Sequence, residues 1–370
     1  MSVRRLSLAG FRSYDALDAV FPPGPQVIVG ANAAGKTNLV EALVVCSRGR
    51  SHRASADAEM VGWTAGLARI EAELDPGPVV EVVLAKPGGL PGARKRVRVN
   101  GVPRRTSVLP STFRTVLFAP EEMLLVTGSP VLRRDALDDL VAGAIPGAAA
   151  VQATYARAVT QRNTLLRRIR EEAAGRDELP FWDRVVIAEG ARLLAWRGEV
   201  LAALADPLAA AHAEMAPLEG RLHVEVRTNA PALPGETPDE TLRRRLAETA
   251  EKEVWNGATL VGPHRDDLAF LLDGRDLSGF ASRGQQRTAI LAWKLAELDL
   301  LAQLDGRPPL LLLDDVFSEL DPDRRAHLVR RIGALPQAFV TTTTLDDLDP
   351  ALVAAATAWR VTPGRLEAAG

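Results

Sequence analysis

Eight consecutive residues near the N-terminus have the types and spacing needed to hold a chain of phosphates. In order they are Gly30, Ala31, Asn32, Ala33, Ala34, Gly35, Lys36 and Thr37. They match the pattern G-x-x-x-x-G-K-S/T between an apolar segment and a helical pattern that starts with Asn38. The two glycines let the backbone curl so that its N–H groups point at phosphate oxygens. Because Lys36 can contact the β- and γ-phosphates and Thr37 can bind Mg²⁺, the segment from Gly30 to Asn38 predicts an ATP-binding loop.

Two adjacent carboxylates end a run of four leucines at residues 310–313. A strand buried in a parallel sheet can carry carboxylates only at its C-terminal end, where ligands bind in open α/β sheets. We expect Asp314 to hold Mg²⁺ together with Thr37, directly or through water. Asp315 is positioned to polarise an attacking water. Asp315 and Lys36 are therefore the candidate catalytic residues.

A third polar segment opens a long helical pattern shortly before the acidic strand. Ser282 is a good N-terminal cap, and Gly284 permits close approach of another backbone. Together with Gln285 and Gln286 they form a second anion site at a helix N-terminus, although an ordinary capped helix is the alternative for this segment alone. The order of loop, capped helix and acidic strand resembles that of ABC-type ATPases, in which such a segment faces the γ-phosphate bound by a second subunit.

In the same comparison, two residues after the acidic strand match the D-loop of ABC-type ATPases. They are Ser318 and Asp321. The resemblance implies a homodimer that forms with ATP and Mg²⁺ and dissociates with ADP.

The surrounding pattern indicates which elements position these residues. Strand patterns occupy residues 3–10, 26–30, 69–75, 79–85, 97–102, 222–227, 268–272, 310–314 and 338–343. Helical patterns occupy residues 36–46, 148–172, 180–215, 239–255, 284–304 and 322–332. Strand–helix material at both ends brackets a helical middle, which predicts one split α/β domain with a helical insertion.

Composition limits the possible environments of the chain. Hydrophobic residues make up 47% of the 370 residues, and the formal net charge is −2, which gives no global sign of a nucleic-acid partner. No segment reaches the roughly 18 apolar residues of a membrane span. The single cysteine, Cys46, excludes an intramolecular disulfide. We expect a cytoplasmic protein without a membrane partner.

Further segments resemble the RecF family of ABC/SMC-type ATPases in order and composition. They are residues 8–14, 51–53, 118–121, 128–130 with Arg133 and Arg134, 162–163, 262–268 and 281–287. The resemblance covers nearly the whole chain and thins in the helical middle and after about Asp346. It implies an ABC-type ATPase domain, with a mixed, largely parallel sheet and an antiparallel β subdomain, in segments 1–130 and 256–370, and a mostly helical lobe at 131–255.

The resemblance also implies a function in recombinational repair and replication restart. The ATP-bound dimer would engage gapped or junction-containing double-stranded DNA, with single-stranded DNA also possible, and would act with RecO and RecR to help RecA load. Arg12 would reach the bound nucleotide. ATP hydrolysis would be weak, DNA-stimulated and used for release. Five arginine clusters are candidate DNA contacts when taken together on a dimer, although each alone is better explained as a solvated face. They are Arg94–Arg98, Arg104–Arg105, Arg133–Arg134, Arg167–Arg170 and Arg243–Arg245.

Several positions depart from the usual ABC-type pattern. Threonines at 341–344 occupy the place of a histidine, and no glutamine lies near residues 118–121. Asp315 is one methylene shorter than the usual glutamate, which predicts slow turnover. His264 and Arg265 are explained equally well by a nucleotide or dimer contact and by turn structure. An SMC-like or other ABC-type ATPase, acting as a nucleotide-gated clamp outside this pathway, is the alternative function.

Overall fold

The computed structural model describes residues 1–88 and 94–369. Its strands are β1 (Ser2–Phe11), β2 (Tyr14–Val20), β3 (Gly24–Val29), β4 (Leu67–Asp75), β5 (Val79–Ala85), β6 (Lys95–Val99), β7 (Val102–Arg104), β8 (Thr115–Phe118), β9 (Leu222–Arg227), β10 (Asp267–Leu272), β11 (Arg275–Asp276), β12 (Leu310–Asp314), β13 (Gln337–Thr342), β14 (Thr357–Thr362) and β15 (Arg365–Ala368). Its α-helices are α1 (Lys36–Arg48), α2 (Leu109–Thr112), α3 (Pro130–Ala144), α4 (Ala148–Arg170), α5 (Leu179–Met215), α6 (Pro238–Asn256), α7 (Leu277–Phe280), α8 (Arg283–Asp305), α9 (Pro322–Gly333) and α10 (Pro350–Ala355).

One six-stranded sheet carries the two segments with the clearest chemistry. Its strand order is β15-β14-β3-β13-β12-β8, and all its neighbouring pairs are parallel except β14–β15. β3 and β12 both pair with β13, so Val29 lies opposite Thr342 and Asp314 opposite Thr341. The loop after β3 and the carboxylates ending β12 therefore emerge at the same edge of the sheet, as ligand sites in parallel sheets do.

The second six-stranded sheet is antiparallel, with the order β2-β1-β4-β5-β6-β7. Its inner residues alternate with exposed ones and share a core with α1, which includes the buried side chains of Leu6, Ile70 and Leu43. The β6–β7 hairpin turns at Asn100 (φ 50°) and Gly101 (φ 75°). Two consecutive positive φ angles are the requirement of a type I′ turn, which the Asn-Gly sequence favours. The strand pattern at residues 97–102 is therefore divided by a turn into β6 and β7.

The chain divides into two compact units. The first contains Met1–Met123, Ala210–Leu218 and Ile290–Gly370, and the second contains Leu124–Ala209 and Glu219–Ala289. The first unit holds both six-stranded sheets and α1. The second holds α3, α4, α6, most of α5 and a three-stranded sheet with the order β11-β10-β9. The predicted α/β class, with a largely parallel sheet, an antiparallel sheet and a helical part, is confirmed, whereas the predicted segment boundaries at 130 and 255 stay a prediction.

Helix length and polarity bear on membrane insertion. Within the part of the chain that the structure describes, no helix is both long enough and apolar enough to cross a membrane.

Candidate nucleotide-binding site

The loop between β3 and α1 depends on glycine at both of its ends. Gly35 has φ 116°, in the left-handed region, and a Cβ there would lie 3.0 Å from the hydroxyls of Ser13 and Tyr14. At Gly30 a Cβ would lie 2.6 Å from the carbonyl oxygen of Val361. Neither position can carry a side chain without a shift of its surroundings. The spacing of the two glycines therefore reflects the shape of the loop.

Lys36 begins α1 and bends back over this loop. Its side chain is only 7% exposed, and Nζ donates to the carbonyl oxygens of Gly30 (2.7 Å) and Ala31 (3.1 Å). Burial lowers the pKa of Lys36, while the nearby charges of Asp315 and Asp314 oppose that shift. The ammonium group therefore lies at the loop, where phosphate oxygens could replace the two carbonyl groups.

Thr37 and Asp314 meet although 277 residues separate them in the sequence. Thr37 Oγ1 donates to Asp314 Oδ1 across 3.2 Å, and Asp314 is 3% exposed. Mg²⁺ binds hard oxygen ligands at roughly 2.1 Å in octahedral geometry, so two adjacent ligands lie about 3 Å apart. The hydroxyl and carboxylate oxygens thus fit a magnesium ion in both chemistry and separation.

A threonine joins the two acids at the end of β12. Thr341 Oγ1 donates to Asp314 Oδ1 at 2.5 Å and accepts from the backbone N–H of Asp315 at 3.0 Å. Thr341 is fully buried, whereas Thr343 and Thr344 are exposed. Sequence reasoning left all four threonines open as replacements for the histidine. The geometry distinguishes Thr341, because Thr341 is opposite Asp314 in the β12–β13 register.

Arg12 lies against α1. Its Nε and Nη2 donate to the two carboxylate oxygens of Glu41 at 2.8 and 2.6 Å, and Nη1 donates to the carbonyl oxygen of Glu59 at 2.8 Å. Burial favours the protonated form of Glu41, but hydrogen bonds from Arg12 and Ser51 outweigh burial and lower its pKa. The structure thus shows Arg12 holding α1, and its contact with nucleotide stays a prediction.

The N-terminal end of α8 carries four further predicted site residues, Ser282, Gly284, Gln285 and Gln286. Ser282 Oγ accepts from Gln285 N–H (3.2 Å), and Gln285 Oε1 accepts from Ser282 N–H (3.0 Å), which is the reciprocal arrangement of a capping box. A Cβ at Gly284 would meet only the Ser282 hydroxyl, 3.7 Å away. Gln286 donates to the carbonyl oxygen of Ala281 (3.3 Å). Since Ser282 is exposed, this tip of α8 can receive another molecule.

The predicted D-loop residues lie directly after the acids. Ser318 Oγ donates to the carbonyl oxygen of Asp315 at 3.1 Å. Asp321 caps α9 by accepting from the N–H of Arg324 at 3.0 Å. Ser318 therefore fixes the backbone at Asp315, the residue expected to act on water.

A buried ion cluster lies close to the position where a glutamine was expected. Lys294 of α8 is 3% exposed, and its Nζ lies 2.7 Å from Glu122 and 3.3 Å from Glu297. Burial opposes the charge, but the two carboxylates outweigh it and raise the pKa of Lys294. Sequence reasoning missed this cluster, although a lone lysine within the apolar part of the α8 pattern was a usable signal.

His264 and Arg265 form a hydrogen-bonded turn in the second unit. The Nε2 atom of His264 lies 3.2 Å from the carbonyl oxygen of Thr259, so Nε2 donates and Nδ1 accepts from the Tyr155 hydroxyl at 2.7 Å. Arg265 donates twice to the same carbonyl oxygen, at 3.0 and 2.9 Å. Burial lowers the pKa of His264 to about 4. These contacts support the turn-structure interpretation.

Many arginines of the candidate DNA-binding clusters are paired with carboxylates inside the chain. Arg133 pairs with Asp267, Arg243 with Asp239, Arg244 with Glu236, and Arg245 with Glu248. Their charge is therefore offset locally, and they are poor candidates for phosphate contacts. In the first of these clusters, Arg98 is likewise paired, with Glu81. Among the described residues, no ion pair involves Arg94 or Arg105.

Comparisons with known proteins first show the structural class of protein to which the chain belongs. The family model described as RecF/RecN/SMC N terminal domain matches residues 2–354. A solved Smc head bound to the C-winged helix domain of ScpA aligns over 100% of this chain and 98% of that one, with a TM-score of 0.53 and 16% identity, which shows the shared fold. The site and fold thus define an ABC/SMC-type P-loop head.

Nearer relatives narrow this class to one family. The DNA replication and repair protein RecF of Heliobacterium modesticaldum is 40% identical over 372 residues, which cover 99% of each chain. RecF of Frankia alni is 40% identical over 92% of this chain and 93% of its own. A solved structure of the recombination mediator protein RecF with ATPrS, in the RecFOR pathway, has a TM-score of 0.88 and 28% identity, and covers 100% of this chain and 98% of that one. The chain belongs to the RecF family of DNA replication and repair proteins.

Proposed function

We propose that this chain binds ATP with Mg²⁺ at the loop from Gly30 to Asn38. The observation that carries the proposal is the meeting of Thr37 and Asp314 next to the buried ammonium group of Lys36. Lys36 and the backbone N–H groups of the loop would bind the phosphates, while Thr37 and Asp314 would hold the metal ion. The solved relative with ATP supports the choice of nucleotide.

ATP binding would join two copies of the chain. The tip of α8 with Ser282, Gly284, Gln285 and Gln286 offers a hydroxyl group and a helix N-terminus, both suited to an anion. Its side chains are exposed or half-exposed. We assign this tip to the γ-phosphate held by a second copy, with Ser318 and Asp321 at the same interface. ATP would thereby stabilise a homodimer.

Hydrolysis would release that dimer. Asp315, held by the contacts of Thr341 and Ser318 to its backbone, is the candidate that polarises water. Because its side chain is short, we expect weak hydrolysis that acts as a slow reset. Stimulation of this hydrolysis by DNA is a further part of the proposal and follows from the family resemblance.

The ATP-bound dimer would act on DNA in the cytoplasm. Membership of the RecF family and likeness to a mediator of the RecFOR pathway support a role in recombinational repair and replication restart at gapped or junction-containing duplexes. RecO and RecR are the proposed protein partners, and assistance to RecA loading is the proposed outcome.

The oligomeric state in different nucleotides tests this proposal. Light scattering should give a dimer mass with ATP and Mg²⁺, and a monomer mass with ADP or with ATP and a chelator. Binding to gapped duplex DNA should be stronger with ATP than with ADP. A monomer mass under all conditions, together with nucleotide-independent DNA binding, would contradict the proposal.

A further inference from the structure

Four arginines lie along one edge of the antiparallel sheet, and we call them the arginine stripe: Arg94, Arg96, Arg98 and Arg105. On β6, Arg96 and Arg98 are exposed while Val97 between them is buried. Lys95 points to the other face, where Nζ donates to the carbonyl oxygen of Gly49 (2.6 Å) and pairs with Asp57 (2.8 Å).

The ladder between β5 and β6 continues to Arg94. The carbonyl oxygen of Arg94 accepts from Ala85 N–H at 2.9 Å. Because side chains alternate between faces along a strand, Arg94, Arg96 and Arg98 belong to the same outer face.

The fourth arginine extends the stripe to the neighbouring strand. Arg104 of β7 pairs with Val97, and Arg105 follows it with extended backbone angles (φ −75°, ψ 147°). One further step of the register sets Arg105 opposite Arg96. The register therefore brings two guanidinium groups together at this place.

Carboxylates of the outer face lie on the opposite side of the stripe from β7. Glu81 pairs with Arg98 (3.3 Å) and with Arg69 of β4 (2.6 Å), and Glu71 also pairs with Arg69 (2.7 Å). Among residues 1–88 and 94–369, no carboxylate forms an ion pair with Arg94 or Arg105. Positive charge thus accumulates toward the β7 edge, in contrast to the paired arginines of α6.

The spacing of the stripe fits a regular polyanion. Alternate residues of a strand lie about 6.6 Å apart, whereas each DNA strand presents a phosphate roughly every 3.4 Å along the helix axis. Guanidinium groups bind phosphate oxygens in a bidentate manner and remain charged at all relevant pH values. Because the DNA strand also winds around the axis, neighbouring phosphates are farther apart in space than this rise. Arginines that alternate along β6 therefore suit successive phosphates of one strand.

We propose that the arginine stripe binds the sugar-phosphate backbone of double-stranded DNA without reading its bases. This inference rests on the proposed function, since it names the surface that would contact the DNA. The stripe lies on the outer face of the sheet whose inner face packs on α1, so it adds a DNA contact without using any nucleotide-site residue.

A charge-removal variant with a matched control tests the stripe. Arg96→Gln with Arg105→Gln removes the facing pair, and Arg157→Gln with Arg365→Gln removes two exposed arginines of α4 and β15. Affinity for a gapped duplex is measured with ATP at several salt concentrations. We expect the stripe variant to bind about tenfold more weakly and the slope of log K against log salt to fall by roughly 2, with little change in the control.

Two further measurements separate this inference from the proposed function. ATP affinity and ATP-dependent dimer mass should be unchanged in the stripe variant, and Arg96→Lys with Arg105→Lys should retain the salt slope because the charges remain. Equal affinity and slope in the stripe and control variants would overturn the inference while leaving the proposed function intact. Absence of DNA binding by the wild-type chain would instead contradict the proposed function.

Discussion

Thr341 shows how one hydroxyl group can organise a pair of carboxylates. It donates to Asp314 and accepts from the backbone of Asp315, so it fixes both acids while being inaccessible to solvent itself. Thr341→Val keeps the shape and removes both hydrogen bonds. We expect ATP hydrolysis to slow about tenfold to a hundredfold, because small displacements of catalytic groups are costly. Single-turnover hydrolysis measures the effect.

The matched control is Thr343→Val. Thr343 is exposed, and its hydroxyl donates to Asp347 at 3.3 Å. Its loss should leave hydrolysis unchanged, while Thr341→Val should also lower the free energy of unfolding by about 1–3 kcal/mol through unpaired buried groups. Equal hydrolysis rates in the two variants would rule out the positioning role of Thr341.

Asp315 permits a test of side-chain length. Its φ of 54° lies in the left-handed region, which aspartate adopts more readily than glutamate. Asp315→Glu extends the carboxylate by one methylene, so we expect single-turnover hydrolysis at least as fast as that of the wild type. The unfolding free energy should decrease by about 1 kcal/mol owing to backbone strain. Slower hydrolysis by a correctly folded variant would show that the length of the Asp315 side chain does not limit turnover.

The sequence predicts the residues of this site to the extent that their geometry is local. Gly30 to Thr37 are consecutive residues of the loop and the start of α1, and Asp314 ends the apolar strand β12. The sequence pattern was therefore sufficient to predict them. Lys294 was not identified, and Thr341 was not distinguished from the three threonines after it. The importance of these two residues depends on neighbours distant in sequence, Glu122 and Asp314 respectively. Contacts of this kind leave no periodic signal.

Among the elements, most long ones were predicted, but the 15-residue helix α3 and several short strands were missed. The helices at 148–172 and 239–255 correspond to α4 and α6, and the Leu310–Asp314 strand matches β12. The prediction lacked β8, which has only four residues, and β2, whose side chains are mostly exposed. Strands of this type are formed by pairing with neighbours, so their own sequence carries little information.

His264 lies in the turn after α6 and accepts a hydrogen bond from Tyr155 of α4, and its titration should affect the stability of the fold. The native pKa of His264 is about 4, because burial disfavours its charged form, while an unfolded histidine titrates near 6.5. The unfolded chain therefore binds more protons between these values, and stability falls as pH decreases through that window. His264→Gln should remove this contribution, which amounts to at most about 3 kcal/mol.

Denaturation at pH 7 and at pH 4.5 measures the effect. The loss of unfolding free energy between the two pH values should be smaller in His264→Gln than in the wild type. Identical pH dependence in the two proteins would show that His264 is not kept neutral in the folded state.

For the whole molecule, the proposed nucleotide site is completed by a second copy, and mixing variants tests this directly. Lys36→Met removes the charge at the phosphate loop, and Ser282→Arg blocks the exposed tip of α8. Each variant alone should remain monomeric with ATP and Mg²⁺. In a mixed dimer, the intact loop of the Ser282→Arg copy faces the intact tip of the Lys36→Met copy, so one complete site is restored.

Light scattering of the equimolar mixture should therefore detect dimers that neither variant forms alone. Lys252→Met is the control for Lys36→Met, because Lys252 lies exposed on α6 and its loss leaves the loop and the α8 tip intact. The Lys252→Met variant should therefore dimerise by itself with ATP and Mg²⁺. If Ser282→Arg dimerised by itself, the α8 tip would not contribute to the partner's site. The mixture could also remain monomeric while the wild type dimerises. This result would contradict the prediction, since it would mean that one complete nucleotide site does not hold two copies together.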